Sequence, residues 1–368
     1  MNRFTKLLWL SGLSAAAPFA HSADTGMQHC AEQFRNDAAA RLQCFDDLLK
    51  APASPATASP QATETAASPA PQTAAAPSAA EDASAGQHAR REDHRSFLTR
   101  AWNLDDLNSG DNRFGRLRPH KQNYLIFRKT SRPNQYPSSP THGQTLIPYN
   151  LDAAETKYQL SFKSEIGNRH DFNVFGFNDF RVWAAYSQQS NWQMFNSSNS
   201  APFRETNYEP EVIASFGTDA QSGLKLVNLG FSHQSNGRAG KESRSWNRIY
   251  LQGGWEWNEF SVLARGWWRV PEKPWKDDNP DIEQFMGRGD LVAHWEPHDR
   301  SQSLSFLVRN NLRSRHNHGY MQLDWAIPLK LGNAARFHLQ LGSGYGESML
   351  DYNHAQNTLG IGFSFREW

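Results

Sequence analysis

From about Asn123 to the end of the chain, apolar and polar residues alternate in short segments, which turn-rich or polar stretches separate. One segment shows the pattern clearly, because Ile249, Leu251 and Trp255 alternate with polar residues. Alternation with period two is typical of β-strands that have one apolar and one polar face. Twelve strands are predicted, beginning near Asn123, Lys157, Phe175, Glu211, Leu224, Trp246, Phe260, Gln284, Gln302, Tyr320, Ala335 and Thr358. The pattern therefore predicts an all-β fold.

Two architectures fit such strands: a soluble sandwich, which buries its apolar faces, and a transmembrane β-barrel, which turns them toward lipid. An even strand number and segments of roughly 9 to 11 residues are typical of bacterial barrels. Aromatic residues at strand ends also favour a barrel. In the last strand Leu359, Ile361 and Phe363 alternate with Gly or Ser before a terminal Trp368, which resembles the assembly signal of outer-membrane barrels. We predict a twelve-stranded antiparallel transmembrane β-barrel in the outer membrane of a Gram-negative bacterium.

The N-terminus is expected to be processed during export. A basic start, an apolar run from Leu7 to Ala20 and small residues around Ser22 predict a signal peptide over residues 1–22. An anchoring helix is the weaker alternative, because the run is shorter than the roughly 20 apolar residues that span a bilayer.

Two further segments are predicted between the signal peptide and the barrel. Residues 23–50 hold the only two cysteines, Cys30 and Cys44, among helix-forming residues. In an exported protein this pair most simply closes a small helical module with one disulfide, expected in the periplasm, whereas metal binding is less favoured. Residues 51–95 are rich in Ala, Pro, Ser and Thr and are expected to form a disordered linker. The barrel is assigned to residues 96–368.

Composition excludes two classes of protein. The formal net charge of +1 shows no overall excess of basic residues that would attract phosphate groups, so nucleic acid is not an expected partner. The mean hydropathy of −0.73 and the absence of a second long uncharged apolar stretch exclude a helical bundle of the inner membrane.

The candidate chemistry lies on one predicted strand and its neighbour. His233 and Ser235 are two positions apart and in phase with the apolar Phe231, so both side chains should face lipid. Asn247 has the same phase on the next strand and can reach His233 across the ladder. A nucleophile, a base and an orienting group are the requirements of acyl hydrolysis. The alternative is a non-catalytic interpretation, in which His233 and Ser235 are merely polar residues where the strand meets the membrane interface.

Several sequence blocks carry a resemblance to a known family. They run from Phe203 to Pro210, from His233 to Arg238, from Ser243 to Arg248, from Asp277 to Ile282 and from Gly344 to Asn353. In combination they resemble the outer membrane phospholipase A family. The cysteine-containing module and the linker are not part of this resemblance.

The resemblance implies a calcium-dependent enzyme that hydrolyses fatty-acyl esters of phospholipids and lysophospholipids, active as a homodimer. It implies that Ser235 is the nucleophile, His233 the base and Asn247 the orienting residue. The resemblance further implies three calcium ligands: the Arg238 carbonyl, Ser243 and, from the second subunit, Ser200, with Ser197 and Ser198 as alternatives. It also implies that Gln188 supports the asparagine at the dimer contact. A hard cation beside the serine would polarise the ester carbonyl. Carboxylates near this loop in sequence are few, with Glu242 the closest.

The sequence leaves two other functions open. One is a passive or structural porin-like barrel without catalysis, and the other is a barrel hydrolase of a different lipid ester, such as an acyl ester of lipid A.

Overall fold

The structure is a computed structural model, which describes residues 33, 44, 96–104, 117–169, 173–198, 203–220, 222–329 and 335–365. All elements below belong to the unit from Ala76 to Trp368. The predicted signal peptide, the linker, Trp368 and Cys30 lie outside the described residues, so the Cys30–Cys44 disulfide stays a prediction.

Within the described residues, twelve long strands form the barrel wall, and short elements precede or connect them. The strands are β2 (Tyr124–Thr130), β5 (Ala154–Arg169), β6 (Phe177–Trp192), β7 (Glu205–Thr218), β8 (Leu224–Ser235), β9 (Ser245–Trp257), β10 (Phe260–Arg269), β11 (Gly289–Trp295), β12 (Ser303–Asn310), β13 (Gly319–Pro328), β14 (Ala335–Tyr345) and β15 (Ala355–Phe365). The short elements are helix α1 (Phe97–Trp102), strands β1 (Leu117–Pro119), β3 (Ser138–Ser139) and β4 (Gly143–Gln144), a 3-10 turn (Gly240–Glu242) and helix α2 (Ile282–Met286). Of these, β1 also pairs with β5.

The main sheet closes into a barrel. Each strand from β5 to β15 pairs with its sequence neighbour, and β2 pairs with both β15 and β5, which removes every free edge. All of these pairs are antiparallel. The predicted twelve-stranded antiparallel barrel is thus confirmed. Two predicted strand starts were wrong: β7 begins at Glu205 rather than near Glu211, and β11 begins at Gly289 because α2 occupies the residues around Gln284.

The two faces of the barrel wall differ as the alternation predicted. Leu359, Ile361 and Phe363 on β15 are about half exposed on the outside. The inside carries charged groups that neutralise one another: Arg204 contacts Glu155 at 3.0 Å and Asp351 at 2.9 Å. A barrel that is apolar outside and polar inside is the transmembrane arrangement.

Helix α1 is packed into the end of the barrel that lies opposite the loop between β8 and β9. Leu98 is fully buried, and its backbone N–H donates to Glu256 at 2.8 Å. Trp102 is also buried, with the Lys163 ammonium 3.2 Å from its ring centre. Asn103, with φ 57°, ends the helix in the left-handed conformation. Within the described part of the chain, no helix is both long and apolar enough to cross a membrane.

Candidate active site

The hairpin of β8 and β9 places His233 directly opposite Asn247. Nδ1 of His233 lies 2.8 Å from Oδ1 of Asn247. An amide oxygen can only accept, so Nδ1 carries the hydrogen and Nε2 keeps its lone pair. Asn247 therefore fixes both the ring orientation and the tautomer that a general base needs.

Both residues lie on the outer face of the barrel. The apolar pair next to them in the ladder, Phe231 and Ile249, is 45% exposed at each position, whereas the intervening Ser232 is fully buried on the lumen side. His233 and Asn247 themselves are half-buried. The imidazole thus meets the surface where acyl chains, rather than water, surround the protein.

Ser235 lies on the same face, two residues after His233, and pairs in register with Ser245. The backbone positions of His233 and Ser235 are about 7 Å apart along the strand. Among the described residues, the Ser235 hydroxyl has no hydrogen-bond partner, and it is not bonded to His233 in this structure. Hydrogen bonds between a serine and a neighbouring histidine base are often long in enzymes before substrate binds.

The lumen side of the same hairpin holds these two strands in place. Trp246 donates its indole N–H to Gln234 at 2.9 Å. Arg248 contacts Glu209 at 2.7 Å and Gln234 at 3.2 Å. These residues alternate with His233, Ser235 and Asn247 along the strands. A buried polar network on the lumen side therefore stabilises the two strands that carry His233, Ser235 and Asn247 on their outer face.

The loop between β8 and β9 is closed by Asn236. The buried Asn236 side chain accepts from the Arg244 backbone N–H at 3.0 Å and donates to the Glu242 carbonyl at 2.7 Å. Gly237 has φ +62°, and a Cβ there would come within 2.9 Å of the Tyr208 ring. The turn therefore requires glycine both for its conformation and for its close approach to β7.

The long loop between β10 and β11 adds a carboxylate beside Ser243. The Ser243 hydroxyl donates to Asp278 at 2.6 Å, and Asp278 also lies 2.8 Å from His142. A hydroxyl that donates its hydrogen keeps its lone pairs for a cation. The sequence does not predict this contact, because Asp278 lies 35 positions from Ser243, although it belongs to the block from Asp277 to Ile282 that carries the family resemblance.

Two of the predicted calcium ligands, Arg238 and Ser243, belong to the loop between β8 and β9. Arg238 contacts Glu242, and its guanidinium also reaches the carbonyls of Phe203 and Arg204, just after the segment that contains Ser200. Ser200 itself lies outside the described residues. Hydroxyl, carbonyl and carboxylate oxygens are the donors that calcium prefers, so the residues of this loop cluster fit such an ion. Within the described ranges, no group of three or more His, Cys, Asp or Glu residues forms a ready metal cluster.

Gln188 does not contact Asn247 within one chain. It lies on β6, three strands from Asn247, which corresponds to about 14 Å across the sheet. Its amide accepts from Tyr186 at 3.0 Å and donates to Tyr158 at 3.2 Å.

The loops around this site are the longer ones. They span residues 131–153, 193–204 and 270–288, whereas the turn at the opposite end of β9 comprises only residues 258–259. In bacterial barrels the longer loops face the outside of the cell. The fold and the position of the site thus define an outer-membrane β-barrel protein with polar chemistry at its outer rim.

Comparisons with known proteins specify the family. The family model described as Phospholipase A1 matches residues 98–365. A putative phospholipase A1 of Neisseria meningitidis serogroup B is 38% identical over 268 residues, which cover 68% of this chain and 65% of that protein. The solved outer membrane phospholipase A of Escherichia coli is 34% identical, with a TM-score of 0.61, over 73% of this chain and 98% of that one.

A third similar protein has been solved as a dimer with a bound calcium ion. The solved outer membrane phospholipase of Salmonella typhi, a dimer with bound calcium, is 32% identical, with a TM-score of 0.60, over 71% of this chain and 95% of that one. The chain belongs to the phospholipase A1 family. It is an ester hydrolase of the phospholipase class, in the outer membrane of a Gram-negative bacterium.

Proposed function

We propose that this protein hydrolyses fatty-acyl esters of phospholipids and lysophospholipids through Ser235, His233 and Asn247. The bond of 2.8 Å between His233 and Asn247 on the lipid-facing wall carries this proposal. It places a base with a fixed tautomer next to a serine at the surface where acyl esters of the outer membrane are presented.

The reaction begins with attack of Ser235 Oγ on the ester carbonyl carbon. His233 Nε2 takes the hydroxyl proton, while Asn247 keeps the ring aligned. Collapse of the tetrahedral intermediate breaks the ester bond, and His233 returns the proton to the departing alcohol oxygen. A water molecule, deprotonated by His233, then attacks the carbonyl carbon of the acyl-serine. The bond to Ser235 Oγ breaks, His233 returns the proton to Oγ, and the fatty acid is released.

Calcium is proposed as the cofactor. The Arg238 carbonyl and Ser243 would hold it in one chain, Ser200 would contribute from the second subunit, and Asp278 adds negative charge beside Ser243. A calcium ion held there would supply positive charge to stabilise the developing oxyanion. The calcium bound in the Salmonella typhi relative supports this assignment.

A homodimer is proposed as the active form. The Salmonella typhi relative is a dimer with bound calcium, and this similarity supports the same assembly for this chain. Gln188 lies on the outer face of β6 at 3.2 Å from Tyr158, where a second barrel could reach it. A neighbouring barrel would also enclose the acyl chain against the lipid-facing wall.

The domain plan from the sequence stays part of this proposal. It comprises a signal peptide over 1–22, a periplasmic module over 23–50 closed by Cys30 and Cys44, a linker over 51–95 and the barrel over 96–368. Deletion of residues 23–95 tests whether the module is needed for insertion or for activity.

Covalent labelling tests the role of the serine. A sulfonyl fluoride should modify Ser235 in the purified, calcium-loaded protein, and peptide mass spectrometry should locate the adduct. The passive-barrel alternative predicts no labelling of Ser235 together with ion conductance in planar bilayers. Labelling at another residue with full retention of activity would reject the assignment.

A further inference from the structure

The loop between β12 and β13, residues 311–318, is called the basic loop below. Its eight residues include two arginines and two histidines, and no Asp or Glu occurs between Asp299 and Asp324. Four strands, β9 to β12, separate it from the loop between β8 and β9. Because that number is even, both loops emerge at the same end of the barrel. The basic loop therefore lies at the outer rim.

The depth of the basic loop follows from the last apolar pair on the outer wall below it. Val308 and Met321 are opposite each other on β12 and β13, and Met321 is 52% exposed. The pairing ends two residues higher, at Asn310 and Gly319, about 7 Å along the strand and less along the membrane normal, because barrel strands tilt. The polar headgroup layer on each side of a bilayer is roughly 5 to 8 Å thick. The basic loop thus begins at the depth of the lipid headgroups.

The two ends of the basic loop are bonded to helix α2. The Gln284 carbonyl accepts from Asn311 Nδ2 at 2.6 Å and from His318 Nδ1 at 3.0 Å. The His318 ring also stacks on Phe285 at a centroid distance of 4.5 Å. The residues between these anchors, 312–317, are all exposed.

Asparagine side chains hold the backbone of the basic loop in a strained conformation. Leu312 and His316 have φ of 51° and 56°, in the left-handed region that non-glycine residues rarely adopt. The Leu312 N–H donates to Asn310 Oδ1 at 2.6 Å. Asn311 Nδ2 donates to the His316 carbonyl at 2.8 Å. Strain of this kind is typical of ligand-binding segments, and here it accompanies a leucine side chain that is 88% exposed.

Arg313 and Arg315 are the cations that the basic loop exposes. Within the part of the chain that the structure describes, neither guanidinium makes a hydrogen bond or an ion pair. The neighbouring Arg288 differs, because it pairs with Glu283 at 3.2 Å. Two unpaired guanidinium groups without a carboxylate between them are complementary to an anion.

We propose that the basic loop binds the phosphate-bearing headgroup of an anionic lipid in the outer leaflet. Arg313 and Arg315 contact the phosphate, since a guanidinium donates paired hydrogen bonds to phosphate oxygens. Leu312 contacts the adjoining acyl region, where its exposed side chain leaves water.

This lipid site is distinct from the proposed catalytic site, and the inference does not depend on the proposed function. β12 is three strands from β9, which corresponds to about 14 Å across the sheet. A lipid held there anchors the rim of the barrel and is not placed for attack by Ser235.

Native mass spectrometry of the protein in a non-ionic detergent tests this proposal. Dialkyl ether phosphatidylglycerol and dialkyl ether phosphatidylcholine are added in equal amounts together with a calcium chelator. These ether lipids contain no acyl ester, so an ester hydrolase cannot consume them. The variants are Arg313→Gln/Arg315→Gln and Leu312→Asn. The matched control is Lys273→Gln/Lys276→Gln, which removes two exposed positive charges from the carboxylate-rich loop between β10 and β11.

The wild-type protein should bind phosphatidylglycerol in preference to phosphatidylcholine. Arg313→Gln/Arg315→Gln should reduce this preference by up to about 25-fold, because each arginine near a lipid surface contributes roughly fivefold. Leu312→Asn, which tolerates the left-handed conformation, should lower the binding of both lipids and leave the preference unchanged. The lysine control should keep the wild-type preference.

Three results would overturn the proposal: an unchanged preference in Arg313→Gln/Arg315→Gln, an equal loss in the lysine control, or displacement of phosphatidylglycerol by millimolar inorganic phosphate. The last result would indicate a site for free phosphate instead of a lipid. Unchanged binding of both lipids by Leu312→Asn would exclude the leucine from the site. Heat-modifiable migration confirms that each variant is a folded barrel.

Discussion

Ser243 and Asp278 are 35 positions apart in the sequence, yet a hydrogen bond of 2.6 Å joins them. The contact ties the loop between β8 and β9 to the loop between β10 and β11. A carboxylate thus stands beside a hydroxyl that is proposed to bind calcium, in a loop where the nearest other carboxylate, Glu242, is engaged by Arg238.

Replacement of Asp278 should therefore weaken calcium binding. Asp278→Asn removes a negative charge beside the ion, and the calcium concentration for half-maximal activity should rise about tenfold, with the maximal rate largely retained. A calcium titration of fatty-acid release measures this. The matched control is Asp219→Asn at the opposite end of the barrel, where Asp219 bonds to Asn178. An unchanged titration for Asp278→Asn would exclude Asp278 from the calcium site.

Calcium removal should abolish activity reversibly. Chelation should reduce fatty-acid release to background, and added calcium should restore it. Magnesium should not, because it demands a stricter octahedral geometry and gives up its waters reluctantly. Equal recovery with both ions would contradict a site built from loop hydroxyl and carbonyl oxygens.

The orienting role proposed for Asn247 predicts a loss in rate rather than in binding. Asn247→Ala leaves the His233 ring free to rotate and to change tautomer, so kcat should fall about a hundredfold while KM changes little. Steady-state kinetics on micellar phospholipid separate the two constants. A rise in KM at constant kcat would indicate that Asn247 binds substrate instead.

Helix α1 should stabilise the barrel without taking part in the reaction. Trp102→Ala removes a buried ring that packs against Trp183 at a centroid distance of 6.2 Å and lies under the Lys163 ammonium. We expect a loss of about 3 to 5 kcal/mol, visible as a lower temperature of the heat-modifiable transition, with activity retained at low temperature. The control Trp257→Ala changes a half-exposed outer ring and should shift this temperature much less.

The sequence predicted the parts of this molecule that depend on local periodicity. Alternation is a property of each strand, so it identified the outer face of β8 and β9 and placed His233, Ser235 and Asn247 on it. It also predicted the number of barrel strands, since each spanning strand repeats the same pattern.

The parts that depend on contacts between distant loops were not predicted. Asp278 reaches Ser243 only because two loops meet above the barrel, and no periodicity encodes that meeting. Helix α1 was also missed, because a helix of six residues is too short to give a helical pattern, and its position depends on burial of Leu98 and Trp102 in the lumen.

The most direct measurement of the central claim is calcium-dependent fatty-acid release from phospholipid by Ser235→Ala. The control is Ser343→Ala, a half-buried outer serine on β14, on the opposite side of the barrel, bonded to Asn357 at 2.7 Å. We predict that both variants are folded, heat-modifiable barrels, that Ser343→Ala keeps wild-type activity and that Ser235→Ala releases no fatty acid above background. Wild-type activity of a folded Ser235→Ala would contradict the account.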